Sequence, residues 1–184
     1  MTRSFAERAV QIAPNDAAIQ AIIADAYLLA GDPDMARRLI KKAIKLNPND
    51  YLVMVFAGVV LPYVGDIDES LKWIEKLIRH DPLSADAFRE PYFESYYLAR
   101  RYEDAIDSIK GWRDPPTHML AQIAAAYAQL DRMDEAQEVR RHYESLLPQG
   151  YSFNDCLTAH LRMCAHQKDR DNWIEGYRKA GFEV

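Results

Sequence analysis

The sequence predicts an all-α fold: a right-handed superhelical solenoid of antiparallel helix pairs, with irregular capping helices at both ends. Three observations carry this. Pro14, Pro48, Pro82 and Pro116 stand at a constant interval of 34 residues. That period belongs to stacked two-helix units and has no place in a single globular core. Gly31 and Gly65 repeat at the same interval. Between these breaks, apolar residues recur at three- and four-residue spacing and do not alternate. A two-helix unit cannot bury its apolar face alone, so neighbours must stack. The chain then reads as one domain over 1–184. It has a half-unit helix in 1–14, repeats at 17–50, 51–84, 85–116 and 117–150, and capping helices in 151–184.

The first unit is a helix over 16–30, striped by Ile19, Ile23, Ala26, Tyr27 and Ala30. Gly31 ends it. Asp32 caps the next helix and Pro33 suits its first turn. Ala36, Leu39, Ile40, Ala43 and Ile44 form the second stripe, which stops at Asn47-Pro48. Small residues at Ala24, Ala36 and Ala43 let the paired helices approach.

The second unit repeats this plan, with Leu71, Ile74, Leu77 and Ile78 inward on a helix over 67–80. Its first helix is apolar on more than one face, through Leu52, Val53, Val55, Phe56, Val59, Val60 and Leu61. Either neighbours sandwich it or its inner face meets a partner. The third unit is out of frame by one. Pro91 lies within its first helix, 85–100, and marks either a kink or a later start. Its second helix, 102–110, ends at Gly111. The fourth unit is the most regular, and Asp131 stands where the earlier units have glycine.

The ends break the pattern. Residues 4–12 read as the second helix of a unit whose mate is missing, so the chain is either excised from a longer one or opened by a lone cap. Residues 153–165 and 171–180 form two helices that break the period and close the stack.

Composition narrows the function. The chain is 49% apolar and 28% charged, with net charge -5. It shows no basic stripe for phosphate backbones, which argues against nucleic acid. Arg37, Arg38, Lys41 and Lys42 read as a solvated outer face. The longest apolar run, 51–64, is shorter than the roughly 20 residues of a bilayer span, so no membrane role is expected. With two cysteines and nothing like a signal peptide, the expected setting is reducing and cytoplasmic.

In such stacks the first helices line the concave side. The groove residues are then Asp25, Leu28, Val55, Phe56, Val59, Tyr63, Glu90, Glu94, Tyr97 and Gln122, with His118, Ala125 and Gln129 alongside. This lining is apolar in the middle and acidic on both sides. It suits a protein or peptide partner with an apolar ridge and basic flanks. Cys156, His160 and Cys164 share one side of a helix, but i and i+8 lie about 12 Å apart. A four-ligand metal site is not expected, nor any cofactor. Glu90 and Glu94 sit one turn apart without a nucleophile–base pair beside them. No catalytic set emerges, and a non-catalytic scaffold is the expected role. A homo-oligomer is a further possibility, through the half-unit or the apolar central helix.

The combined signature resembles tetratricopeptide repeats. It rests on Ala24, Tyr27, Gly31, Ala36, Ala43 and Pro48 in the first unit. Gly58, Gly65 and Pro82 carry it in the second, and Ala124, Tyr127, Ala136 and Pro148 in the fourth. Residues 45–184 also resemble the C-terminal repeat region of rhizobial-type bacterial adenylate/guanylate cyclases and related regulators. The matching runs are Asp81-Pro82-Leu83, the stretch 100–106, the stretch 124–130, Asp134-Glu135-Ala136, and the tail 176–182. That resemblance implies a regulatory or sensor segment of a signalling protein. Cyclase activity is not implied, because the paired metal-binding aspartates of a cyclase domain are absent.

Overall fold

The computed structural model describes residues 8–82, 88–148, 151 and 153–184. Among them there is no strand. Residues 8–12 are helical, and ten helices follow: α1 (Ala17–Leu29), α2 (Pro33–Leu46), α3 (Tyr51–Val60), α4 (Ile67–His80), α5 (Arg89–Leu98), α6 (Tyr102–Ser108), α7 (Thr117–Gln129), α8 (Met133–Leu146), α9 (Phe153–Leu161) and α10 (Gln167–Lys179). Consecutive helices pair as α1/α2, α3/α4, α5/α6 and α7/α8, and α1 also packs on α3. The result is a helical solenoid, with α1, α3, α5 and α7 forming one layer and their mates the other.

Local chemistry sets the boundaries. Asp16 accepts from the Ile19 N–H, and Asp32 from the Met35 N–H with Pro33 in the first turn. Asp50 accepts from both Leu52 and Val53. Each satisfies orphan donors at a helix start. Gly31 and Gly65 hold φ of 81° and 89°, the left-handed turn between paired helices. In the third and fourth units the same conformation falls to Arg100 (φ 61°) and Asp131 (φ 56°), residues that adopt it at a cost. α5 begins at Arg89, so Pro91 lies in its first turn. There its missing N–H breaks no helical bond, and the later start is the correct alternative.

Two joints between units escape the apolar pattern. Ser70 donates to the Gly58 carbonyl (2.9 Å) and shares a hydrogen bond with Ser95 (3.0 Å), tying α3, α4 and α5. Outside, Arg37 and Lys41 on α2 pair with Asp66 at 2.9 and 3.1 Å, and Lys41 also with Glu69. Half of the basic cluster is thus a bridge between units.

The C-terminal helices depart most from expectation. They close the end of the stack through an aromatic cluster in which Phe153 stacks on Phe182 (4.5 Å) beside Tyr143 and Tyr177. They also turn back along the inner layer. The Ala165 N–H donates to the Tyr63 carbonyl (2.8 Å), and α10 packs on α7. Against Gly31, at the far end of α1, lies the stem of Arg162.

Candidate functional site

The inner layer divides into two parts. On the C-terminal part, α10 occupies the surface of α5 and α7. Trp173 is fully buried and stacks on Tyr97, with ring centroids 3.6 Å apart and planes 7° from parallel. The Tyr97 hydroxyl and the Gln129 amide each donate to the Asn172 carbonyl at 3.3 Å. Asn172 returns a bond from its side chain to the Tyr97 carbonyl and accepts one from the Tyr102 hydroxyl at 2.6 Å. α10 can approach this closely because of Gly176. A Cβ there would overlap the Tyr97 hydroxyl and stand 3.1 Å from the Ala125 methyl. At the start of α10, Arg100 reaches the Lys168 carbonyl (3.0 Å) and the buried Asp169 carboxylate (3.6 Å). The second distance is an ion pair too long for a hydrogen bond.

Beneath α9 runs a buried polar chain. His160 bonds Tyr63 through Nε2 (3.1 Å) and Tyr177 through Nδ1 (3.0 Å). Burial pushes its imidazole down to about 3, so the ring is neutral, with one donor and one acceptor nitrogen. Tyr63 in turn hydrogen-bonds Glu94. One arrangement satisfies every member: Tyr177 donates to Nδ1, Nε2–H donates to Tyr63, and Tyr63 donates to the Glu94 carboxylate. Gln122 adds a second donor to Glu94 at 3.2 Å. Burial, then the charge of Glu90, pushes the Glu94 carboxyl up to about 7, while the bonds from Tyr63 and Gln122 pull the other way. Glu90 pairs with His118 at 2.9 Å, and that bond raises the imidazole above its ordinary range. A cavity of about 280 Å³ opens beside Glu90, Glu94, His118 and Gln122.

On the N-terminal part, α1 presents Ile22, Asp25 and Leu29 on one face, and α3 presents Leu52, Phe56 and Val59. Ile22 is 44% exposed and Leu29 52%. Tyr63 continues the α3 stripe by one turn and meets His160, so this stripe leads into the covered part. Burial raises the Asp25 carboxyl.

The groove residues expected from sequence thus separate. Asp25, Phe56 and Val59 are half-buried on the open part, and Glu90 is half-buried beside the cavity. Leu28 is in the core, and Val55 turns toward the cluster of Met54, Ile74, Leu77 and Phe88. Tyr63, Glu94, Tyr97 and Gln122 are buried beneath or beside the chain's own C-terminal helices. His160, Trp173, Tyr177, Asn172 and Gly176 were absent from the expected set. Their signal was a glycine inside a helix with Trp173 and Tyr177 one turn apart, the mark of a helix face meeting another closely.

The 34-residue unit built from α1, its glycine turn and α2 matches a model of the tetratricopeptide repeat over residues 17–50. Residues 17–50 are a tetratricopeptide repeat. The architecture around it is that of a tetratricopeptide-like helical solenoid, built of helices packing in adjacent pairs. Such repeats generally mediate protein–protein interaction or scaffolding and are generally non-catalytic. No curated protein matches the chain. Among the described residues no helix is long and apolar enough to cross a membrane.

Proposed function

We propose that this chain is a non-catalytic interaction module, and that the open part of its inner face holds an amphipathic helix of a protein partner. One observation carries the reading. The covered part of the same face already holds a helix, α10, through a ring stack and donors to a helix carbonyl. Helix-in-groove recognition is therefore within the means of this surface. The open part continues it with an apolar stripe of Ile22, Leu29, Leu52, Phe56 and Val59. Asp25, between Ile22 and Leu29, sits where desolvation disfavours its charge. A basic residue on the partner's helix relieves that cost, so the partner carries an apolar ridge with Lys or Arg beside it.

Photo-crosslinking groups placed at Ile22 and Leu52 of the full chain test this in cells. The expected result is one crosslinked partner whose contacting segment, made as a peptide, binds the purified chain and is weakened at least tenfold by Asp25→Lys. Crosslinks that form only from positions on α2 and α4, or a peptide affinity indifferent to Asp25→Lys, overturn it.

A further inference from the structure

The cavity beneath α9 is distinct from the open stripe, although Leu29 borders both. It exists only because α9 crosses in front of α5 and α7. Its walls are apolar, supplied by Leu157, Met163, Ala121 and Phe153. Its polar end comes from α5 and α7 and is built of acceptors. Glu94 is 6% exposed and Gln122 5%. The Gln122 amide nitrogen is committed to Glu94, while its Oε1 is buried with no partner among the described residues. The cations that border the cavity sit at its margin. Arg162 is exposed in the turn just past α9, with its stem against Gly31. The His118 side chain is 51% exposed and paired with Glu90. A volume of about 280 Å³ is at the small end of ordinary ligand pockets.

We infer that this cavity binds a primary ammonium group carried on a short apolar body, with the nitrogen against Glu94 and Gln122 and the hydrocarbon against Leu157 and Met163. The chemistry follows from the donor count. An ammonium has three donors and no acceptor, and the inner end of the cavity holds the unpartnered Gln122 Oε1 and the Glu94 carboxylate, which has acceptor sites beyond the two taken by Tyr63 and Gln122. A charged hydrogen bond to a buried carboxylate is among the stronger polar contacts. A cation there also relieves the penalty that burial places on the Glu94 charge. An anion meets that carboxylate and is repelled. A neutral alcohol supplies one donor and forfeits the charge.

The test is calorimetric titration of the full chain with 2-phenylethylamine, 2-phenylethanol, 3-phenylpropionate and a short peptide with one lysine flanked by apolar residues. Saturable amine or lysine-peptide binding at least tenfold tighter than the alcohol, with no binding of the carboxylate, is the expected result. Binding of the free amine assigns the site to a small molecule, and binding of the peptide alone assigns it to a lysine side chain. Both uphold the ammonium chemistry. Glu94→Gln and the more exposed Glu90→Gln are each expected to weaken the amine at least tenfold, with helicity checked by circular dichroism. No saturable binding by amine or peptide, an alcohol equal to the amine, or an affinity unmoved in both variants overturns the proposal. Each of these outcomes leaves partner binding at Ile22 and Leu52 untouched.

Discussion

The two parts of the inner layer are built on one plan and finish differently. α1 and α3 end in aliphatic side chains that face outward from the layer: Ile22, Leu29, Leu52 and Val59. α7 carries Ala121, Ala124, Ala125, Ala126 and Ala128, all buried, and α5 offers Tyr97. A helix lined by methyl groups on opposite faces has room for a neighbour on each. α8 takes one side and α10 the other. The repeat period therefore sets where helices stack, while side-chain size sets which part of the inner face accepts a further helix from the same chain.

Emptying the covered part has the largest expected effect. Trp173→Ala removes a fully buried ring stacked on Tyr97. The expected cost is about 3–5 kcal/mol by urea unfolding. Hydrogen exchange should report where the loss falls: α9 and α10 lose protection while α1 to α4 keep theirs. Equal loss throughout would mean that the two parts unfold as one body.

Next in size is the pH response of the covered part. Burial raises the Glu94 carboxyl from 4.5 to about 7. Between those values the folded chain holds a proton that the unfolded chain has released, so stability falls as pH rises through that window. The exposed His118 acts in the same direction, since its raised imidazole favours the folded state only while protonated. His160 acts oppositely. Its imidazole falls from 6.5 to about 3, so the unfolded chain takes the proton first and stability is lost as pH drops below 6.5. Glu94→Gln should therefore gain on the native chain between pH 5 and pH 8, by up to about 3 kcal/mol. Unfolding curves at the two pH values measure it, and parallel curves for variant and native chain would refute the assignment.

Much of this architecture was legible in the sequence. The prolines, glycines and N-cap aspartates are local signals, and they placed α1 and α4 within a residue of the observed bounds, whereas α5, α9 and α10 each start or end about four residues from the expected ones. The apolar stripe of α3 was also visible, and the sandwiched reading holds for Val53 and Met54, while Leu52 stays exposed. The covering of Glu94, Tyr97 and Gln122 was not legible. It depends on contacts from Tyr63 to His160 and from Tyr97 to Asn172, far apart in the chain and made by polar atoms. Periodicity reports which face of a helix is apolar. It does not report which distant segment covers that face. The inter-unit bridge from Arg37 and Lys41 to Asp66 was missed for a related reason, since a charge on a helix looks solvated until its partner is known.

Arg100 ties the turn of the third unit to α10, and its effect is smaller. It sits at the left-handed turn after α5 and holds the start of α10 through the Lys168 carbonyl and Asp169. Arg100→Gly removes backbone strain of about 1 kcal/mol and strands the Asp169 carboxylate, which is 1% exposed. The second effect should win, because an unpaired buried charge is costly. A net loss of about 1–2 kcal/mol is expected, with faster exchange confined to α10. A net gain would mean that Asp169 finds its compensation elsewhere.

Asp131→Gly is the matched control and the smallest effect. Asp131 occupies the same backbone region, at φ 56°, in the turn between α7 and α8. It lies at an exposed position, on the side of the stack where α8 follows α7. Glycine there removes the strain and adds freedom to the unfolded chain, two contributions of similar size and opposite sign. The expected outcome is a change within about 0.5 kcal/mol, read from the urea midpoint at constant slope. If Arg100→Gly and Asp131→Gly shift the midpoint equally, then Arg100 acts only as a turn residue. If only Arg100→Gly loosens α10, the turn of the third unit also fixes the helix that separates the covered part of the inner face from the open one.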